Sequence, residues 1–478
     1  MKNHSLIAAA AALALVCIPS TARNKTVKMI ATTSDRSKEL EESSLDLQKG
    51  KAKAEATITI NPRQSFQTMD GFGVAITGST CYNLMRMKED LRDEFLRQTF
   101  DPRDGYGFSY CRISIGASDF SLDEYTCCDK PGIENFALTD EETKLVIPIL
   151  RRILEINPTL KIMGSPWTPP RWMKVKDLES MEPFESWTSG SLCPRHYGDY
   201  AEYFVRWIKA FQEAGVPIYS ITPQNEPLNR GNSVSCYMPW EEQAAFVKVL
   251  GPALRKAGLK TRIFAFDHNY NYDNIASQKG YVNNIYADEE AAQYVDGGAF
   301  HNYGGNKDEL YAVHNAMPGK DLVFTETSIG TWNDGRNLEK RLNSDMEELG
   351  TGTVNRWCKG VIVWNLMLDA DRGPNRPKGC RTCFGAVDIN KDYTKLTRNS
   401  HYYVIAHLSS VVMPDAVRVG TDGYTAKGLS YSAFRNPDGS YALVMNNAAR
   451  EARDITVQLG RSYFSCTVPA RSAVSFRW

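Results

Sequence analysis

The chain has 478 residues, of which 42% are hydrophobic and 23% are charged. These proportions are ordinary for a globular protein and exclude a disordered or collagen-like chain. Lys and Arg number 56, as do Asp and Glu. Without a basic excess, neither nucleic-acid binding nor a polybasic membrane anchor is expected.

The N-terminal segment has the pattern of a secretory signal. Lys2 precedes an apolar run from Leu6 to Ile18, and the small residues of 20–22 resemble a cleavage site. The run is too short to span a bilayer, so residues 1–22 are predicted to be a signal peptide. We therefore expect an exported protein in the periplasm, at the cell surface or outside the cell. Cys17 leaves a lipid anchor open, and no stable membrane insertion is expected.

Residues 23–53 are rich in Lys, Ser, Thr and Glu, which predicts a polar leader or linker. Ten of the 11 cysteines follow Cys17. Cys127-Cys128 and the Cys380-x-x-Cys383 pair are compatible with a metal or redox site. Loop disulfides or free buried thiols are the favoured interpretation in an exported chain.

The middle of the chain alternates between strand-like and helix-like segments. The predicted helices include 89–100, 140–156, 195–214 and 240–257. An alternation repeated eight times predicts an α/β fold, a parallel (β/α)8 TIM barrel over residues 71–394. The eight short runs are 71–77, 109–116, 160–166, 218–226, 262–269, 297–303, 321–328 and 360–366.

The pattern changes at about residue 395. Six short strand-like runs follow, and Asn436-Pro437-Asp438-Gly439 is a strong turn signal between two of them. Residues 395–478 are therefore predicted to form a β-sandwich. Residues 54–70 contain a further strand, which is expected to join that sandwich.

Residues that could act in catalysis or ligand binding follow the carboxyl ends of the predicted barrel strands. Barrels of this type form their active sites at that edge. Two carboxylates among them could cleave a glycosidic bond, one as proton donor and the other as nucleophile or base. The aromatic residues could form a wall for a sugar ring, and the remaining polar residues could position hydroxyl groups. The candidates are Arg112, Asp119, Trp167, Asn225, Glu226, His301, Tyr303, Glu326 and Trp364.

Taken singly, each of these residues also fits a structural role. Other chemistries have less support, because the sequence lacks the zinc-protease, phosphate-loop, dinucleotide and serine-hydrolase motifs. No metal or organic cofactor is expected.

Six segments together resemble glycoside hydrolase family 30, which includes glucosylceramidases and endo-β-1,6-glucanases. They occur in family order, and the resemblance covers about residues 54–478. The segments are Gln67–Gly73, Arg112–Ser121, Gly164–Lys174, Thr222–Pro227, Phe324–Thr327 and Val363–Leu366.

The resemblance implies a barrel with a side β-sandwich built from both chain ends, and a retaining double-displacement mechanism. Glu226 would be the general acid/base and Glu326 the nucleophile. Asn375 would lie near the site entrance. The residues expected to line the sugar subsite are Asp119, Trp167, Asn225, His301, Tyr303 and Trp364.

That mechanism has physical consequences. A retaining pair of carboxyl groups lies about 5–5.5 Å apart. We expect Glu226 to be protonated in the resting enzyme, with its pKa raised by burial or by the charge of Glu326.

The substrate is less well determined by sequence. The absence of a visible membrane-binding segment favours a β-glucan polysaccharide or oligosaccharide, with endo-hydrolysis of β-1,6-glucan first. An exo-acting β-glucosidase or glucosylceramidase is the second candidate. A xylan-active enzyme is the third, because Arg171, Arg230, Arg372 and Arg376 could bind a uronate. A non-catalytic carbohydrate-binding protein is a remote fourth, and oligomeric state is left open.

Overall fold

The computed structural model describes residues 26–270 and 275–478. The predicted signal peptide, residues 1–22, lies outside these ranges. Within them, the helices are too short or too polar to traverse a lipid bilayer.

Eight parallel strands close into a barrel. Each coincides with one of the eight predicted runs, so the predicted TIM barrel is confirmed. The strands are Gly71–Ala75, Tyr110–Ser114, Lys161–Ser165, Ser220–Ile221, Arg262–Asn269, Gly297–His301, Asp321–Glu326 and Cys358–Val363.

Helices surround this barrel. The four predicted helices are present, although the one expected over 140–156 begins with a π-helical segment, Glu142–Val146. A second π-helical segment spans Met346–Thr353. The α-helices are Gly78–Arg86, Glu89–Phe100, Ile147–Ile156, Tyr197–Glu213, Trp240–Lys256, Tyr281–Ala287, Glu289–Ala292, Glu309–Ala316, Leu338–Asp345 and Ser400–Ser409.

Short elements decorate the loops. The 3-10 turns are Ile133–Asn135, Arg171–Met173, Pro194–His196, Ala276–Gln278 and Thr331–Asn333. Three small sheets lie outside the barrel and the sandwich. Their strands are Lys174–Val175 with Ser191–Leu192, Ile329–Gly330 with Cys383–Phe384, and Met367–Asp369 with Val387–Ile389 and Leu396–Arg398.

A plug of side chains fills the barrel interior. It is a separate cluster of buried residues contributed by six of the strands, as expected for a packed barrel core. The members are Tyr110, Met163, Phe264, Ala299, Val323 and Ile362. Because successive inward positions along a strand are two residues apart, the residues two positions further on form the next layer, towards the carboxyl ends of the strands.

A ten-stranded sheet forms the β-sandwich, and both chain ends contribute to it, as the family resemblance implies. The predicted strand within 54–70 is Thr57–Thr68 and pairs with strands of the C-terminal part. In spatial order the strands are Glu41–Asp46, Thr26–Thr33, Ser472–Arg477, Tyr441–Asn447, Leu429–Arg435, Val417–Gly423, Thr57–Thr68, Arg453–Leu459, Ser462–Val468 and Gln48–Lys49.

The prediction of a polar linker over 23–53 is wrong for the described part of that segment. Thr26–Thr33 pairs with Glu41–Asp46 on one side and with Ser472–Arg477 on the other. Val27, Met29 and Ala31 pack into the sandwich core, whereas Ile30, on the opposite face of the strand, packs into the larger core cluster. The apolar run is short, and the surrounding polar composition conceals it.

The predicted boundary at residue 395 also requires correction, since the helix Ser400–Ser409 precedes the C-terminal sandwich strands. All its residues are buried. On one side, Tyr402 contacts the barrel-side ring of Phe108, with ring centroids 5.2 Å apart. On the other, the ring nitrogens of His407 hydrogen-bond the hydroxyls of Thr32 and Ser475, each at 2.9 Å. This helix joins the barrel to the sandwich.

The first prediction concerns His407. Burial lowers its pKa from 6.5 to about 3, so the unfolded chain binds a proton below about pH 6.5 that the folded chain does not. The free energy of unfolding therefore falls as the pH drops towards 3, by about 1.4 kcal/mol per pH unit. Urea unfolding should show that, between pH 7 and pH 5, the free energy of unfolding of His407→Gln falls by about 2 kcal/mol less than that of the wild type. Equal losses in both proteins would contradict this.

Candidate active site

A polar layer lies directly above the apolar plug of the barrel. Arg112, Ser165, His301 and Thr325 each follow a plug residue by two positions on the same strand. The fifth strand reaches the layer differently. Its register shifts between Phe266 and His268, and both Phe266 and Asp267 have positive φ. Phe266 packs against Tyr281, with ring centroids 4.7 Å apart, while Asp267 bonds into the polar layer.

Arg112 is the centre of this layer, and its side chain is fully buried. One terminal nitrogen donates to Asp267 Oδ2 at 2.7 Å and to Asn225 Oδ1 at 2.6 Å. The other donates to Glu326 Oε2 at 2.7 Å. Because a buried guanidinium needs fixed partners, these bonds hold three site residues in one geometry.

Glu226 follows the short fourth strand and has a φ of +44°. Its backbone N–H donates to the carbonyl of Asp267 at 2.9 Å. Oε2 accepts from the side-chain amides of Asn229 at 2.8 Å and Asn232 at 3.0 Å. Oε1 lies 3.2 Å from Nδ1 of His301. The carboxyl group is thus fixed on both oxygens.

Glu326 ends the seventh strand. Besides the bond from Arg112, Oε1 accepts a hydrogen bond from the Tyr303 hydroxyl at 3.0 Å. Two donors therefore orient this carboxyl group and favour its charged form.

Asp267 is a site residue that the sequence interpretation missed. Its carboxylate is fully buried and accepts from Arg112, from the hydroxyls of Thr222 and Thr325, and lies 3.1 Å from Nε2 of His301. Asp267 thereby connects Arg112 with His301 in the polar layer. The available signal was the polar run Asp267-His268-Asn269 at the end of the fifth strand, from which no candidate was taken.

The charges of the site follow from these contacts. Burial alone would lower the pKa of His301, but Glu326 and the hydrogen bonds with Asp267 and Glu226 raise it to about 9. Burial would raise the pKa of Glu226, but the hydrogen bond with His301 and the nearby histidine charges lower it to about 2. Burial raises the pKa of Glu326. The prediction of a raised pKa for Glu226 is therefore wrong, because the hydrogen bond with His301 favours the carboxylate form.

Trp167 and Trp364 form an aromatic wall beside the carboxyl groups. Their rings stack with centroids 5.2 Å apart and an interplanar angle of 27°. The Arg112 guanidinium lies 4.9 Å from the Trp167 ring centroid and 5.5 Å from that of Trp364. Tyr303 is different, since 43% of it is exposed. The wall is thus rigid, and Tyr303 lies at the solvent side.

Asp119 belongs to the same pocket. Burial, followed by the charges of Cys380 and Glu326, raises the pKa of its carboxyl group, so Asp119 is prepared to donate a hydrogen bond. Asn375 is less directly involved. Its amide donates to the carbonyl of Arg372 at 2.8 Å, and among the described residues we find no hydrogen bond from it to either catalytic candidate.

The side chains of this site are poorly suited to act as metal ligands. Glu226, His268 and His301 present ligand atoms within 4.8 Å of one another. Both ring nitrogens of His301, however, already have hydrogen-bonding partners, with Nδ1 3.2 Å from Glu226 and Nε2 3.1 Å from Asp267. The residues therefore fit an acid–base role better.

The second prediction concerns Asp267→Asn. Removing this charge should lower the pKa of His301 below 9 and disturb its orientation, as loss of the buried carboxylate does in a serine-protease triad. There the turnover number falls about 10⁴-fold, and we expect a fall of about 10² to 10⁴ here. NMR titration of the labelled histidine rings checks the pKa shift, and thermal unfolding checks the fold. An unchanged titration of His301 would refute the assigned coupling.

Two family models match consecutive parts of the chain. The glycosyl hydrolase family 30 TIM-barrel domain matches residues 69–412. The glycosyl hydrolase family 30 beta sandwich domain matches residues 415–476. The boundary between them agrees with the placement of the helix Ser400–Ser409 before the C-terminal sandwich strands.

Several known proteins are similar to this chain over most of its length. The solved structure of the endo-beta1,6-glucanase BT3312 has 59% sequence identity and a TM-score of 0.93, and the match covers 95% of this chain and 99% of that one. Endo-1,6-beta-D-glucanase neg1 of Aspergillus fumigatus is 30% identical, over 86% of this chain and 85% of the relative. Lysosomal acid glucosylceramidase of Mus musculus is 26% identical, over 88% and 83% respectively. The chain is a glycoside hydrolase and belongs to glycoside hydrolase family 30.

Proposed function

We propose that this enzyme hydrolyses β-1,6-glucan at internal bonds by a retaining double displacement. The observation that carries the substrate assignment is the 59% identity, over nearly the whole chain, to an endo-β-1,6-glucanase. The chemistry is supported by two carboxyl groups, Glu226 and Glu326, held in one buried hydrogen-bonded layer at the mouth of the barrel.

Glu326 is proposed as the nucleophile. Arg112 and Tyr303 donate to its two oxygens, which orients the carboxylate for attack on the anomeric carbon. The covalent glycosyl ester that forms is uncharged at this position, and water then hydrolyses it.

Glu226 is proposed as the general acid and base. Nδ1 of His301 lies 3.2 Å from Glu226 Oε1, so His301 is positioned to supply the acid proton. Transfer across that hydrogen bond yields a protonated Glu226 and a neutral His301 without changing the net charge of the site. Glu226 then protonates the leaving oxygen, and as the carboxylate it later activates the water.

The xylan alternative has less support, because each of the four arginines proposed to bind a uronate contacts another part of the protein. Arg171 lies over Trp187, with 4.5 Å from its guanidinium carbon to the ring centroid, and Arg230 lies 3.6 Å over Tyr237. Arg376 is buried and donates to the carbonyl of Ser118. Arg372 donates to the carbonyl of Arg381.

The third prediction concerns how the site binds a polysaccharide that extends beyond one sugar unit. Trp332 is 53% exposed, in the turn after Ile329–Gly330 on the loop that leaves Glu326. If it stacks on a second sugar, Trp332→Ala should raise KM for the polymer about 2- to 12-fold, the effect of losing one aromatic contact. Turnover of an aryl β-glucoside should stay constant. Tyr311→Ala, on the helix Glu309–Ala316 and also exposed, is the control. An equal KM for both variants would exclude the stacking role.

The substrate proposal is tested by the early product profile. The protein lacking residues 1–22 is incubated with linear β-1,6-glucan, and the products are resolved before a tenth of the polymer is consumed. A ladder of β-1,6-linked oligosaccharides, whose newly formed reducing ends have the β configuration, supports the proposal. Glucose alone from the outset would assign an exo-enzyme instead, and no products would remove β-1,6-glucan as the substrate. β-1,3-glucan serves as the linkage control.

We also propose that the protein is exported, supported by the signal pattern of residues 1–22. Fractionation of cells that express the full chain, with N-terminal sequencing of the product, tests this. A cytosolic protein that retains residue 1 would refute it.

A further inference from the structure

A pair of cysteines lies against the sugar pocket. Cys383 is buried in the same cluster as Trp167 and Trp364, and Cys380, partly exposed, packs against that cluster. The loop that carries them also contacts Asp119, since a Cβ at Gly379 would lie 2.7 Å from the Asp119 carbonyl oxygen. A chemical change at these thiols would therefore reach a residue of the pocket.

The backbone between the two cysteines is held in place. The carbonyl of Arg381 accepts from Arg372 Nε at 2.7 Å, and the carbonyl of Thr382 accepts from the Thr331 N–H at 2.9 Å. Cys383 pairs with Gly330 in the small two-stranded sheet next to Glu326. Cys380 Sγ lies 3.5 Å from the Thr382 hydroxyl within this frame. The two thiols, three residues apart, therefore both lie at the cluster that contains Trp167 and Trp364.

This pair differs from the other cysteines of the described chain. Of the ten thiols, eight are buried, and only Cys380 and Cys466 are partly exposed. The hydrogen bond with Cys383 lowers the pKa of Cys380 to about 6, whereas burial raises that of Cys466 to about 12. At neutral pH the attacking thiolate is therefore expected at Cys380.

We propose that Cys380 and Cys383 form a site for thiol–disulfide exchange, whose disulfide lowers hydrolysis by displacing the loop beside Asp119. The Cys380 thiolate attacks a small disulfide oxidant, forms a mixed disulfide and releases one thiol. The Cys383 sulfur, losing its proton to solvent, then attacks Cys380 Sγ, closes the intramolecular disulfide and releases the second thiol. Two protein thiols are oxidised and one oxidant disulfide is reduced.

The expected effect on catalysis follows from geometry. Sulfur atoms in a disulfide are about 2.05 Å apart, so bond formation draws Cys380 towards Cys383 and away from its contact with the Thr382 hydroxyl. The adjoining Gly379 must move with it, and the negative charge near Asp119 disappears. Because small misplacements at a site are costly, we expect at least a threefold loss of kcat/KM on the glucan, reversed by dithiothreitol. This kinetic part rests on the proposed function.

The experiment uses the reduced protein with oxidised glutathione, followed by iodoacetamide and peptide mass mapping. The wild type and the Cys466→Ser control should each lose two hydrogens and contain a peptide linked through Cys380 and Cys383. Cys383→Ser should stop at a glutathione adduct on Cys380, and Cys380→Ser should show neither product. Retention of both alkylated thiols in the oxidised wild type would overturn the site.

Kinetics on the same samples test the second half of the proposal. Oxidised wild type with unchanged kcat/KM would overturn the link to the pocket, whereas a loss that appears equally in Cys380→Ser would assign the effect to another thiol. The thiol mapping needs no substrate, so its failure is distinguishable from failure of the glucanase assignment.

Discussion

In Glu326→Ala, the rate of β-1,6-glucan hydrolysis should fall by about 10⁴-fold or more, as enzyme turnover does when a covalent nucleophile is removed. The variant lacks the oxygen that bonds to the anomeric carbon, so no glycosyl ester can form. Arg112 also loses one of its carboxylate partners, and thermal unfolding must show that the variant remains folded. Glu326→Gln, which keeps the shape without the charge, should be equally inactive.

Azide distinguishes the assigned role of Glu326 from a general loss of structure. In Glu326→Ala the small anion can occupy the vacated space and attack an activated aryl β-glucoside directly. A single displacement inverts the configuration, so the product should be an α-glucosyl azide. A β-glucosyl azide from this variant would show that a covalent intermediate still forms and that Glu326 is not the nucleophile.

Glu226→Ala should behave differently on different leaving groups. Hydrolysis of the glucan, whose leaving alcohol needs a proton, should fall by about 10² to 10⁴, the usual contribution of a general acid. An aryl glucoside with a good leaving group should still form the glycosyl enzyme, which then accumulates because no base activates water. A rapid burst of phenol followed by slow turnover is the expected signature in a stopped-flow trace.

Azide is again diagnostic, since it needs no general base. Added to Glu226→Ala, it should accelerate turnover of the aryl glucoside and yield a β-glucosyl azide. Equal losses on the glucan and on the aryl glucoside would count against Glu226 as the acid and base. Asn229→Ala, which removes one donor to Glu226 Oε2, is the control for disturbance of the loop.

The barrel and most of the site could be predicted from sequence because both depend on local patterns. Strand alternation places Arg112, His301 and Glu326 at the end of recognisable apolar runs. Asp267 was not predictable in this way, since it enters the layer only through a register shift and positive φ at Phe266 and Asp267. The strand Thr26–Thr33 was missed for a different reason. Its partner Ser472–Arg477 is at the far end of the chain, and no local composition reports that pairing.

The protonation state of the site shows a further limit of sequence. Burial and a neighbouring carboxylate predict a raised pKa for Glu226, and this is sound for two isolated acids. The structure adds His301 and Asp267, and the imidazolium between Glu226 and Asp267 reverses the result. Which of several buried groups holds a proton depends on hydrogen-bond geometry that residue spacing does not contain.

The strand Thr26–Thr33 is bonded on one side to the last strand of the chain, and this has a consequence for biosynthesis. The sheet cannot be completed until the final residues have left the ribosome, because this early-synthesised strand pairs with the strand that is synthesised last. Such long-range pairing makes folding slow. Under the export proposed above, the chain would cross a membrane as an extended polypeptide. Late closure would then be useful, since the sandwich is not assembled prematurely and the translocation machinery has no finished sheet to unfold.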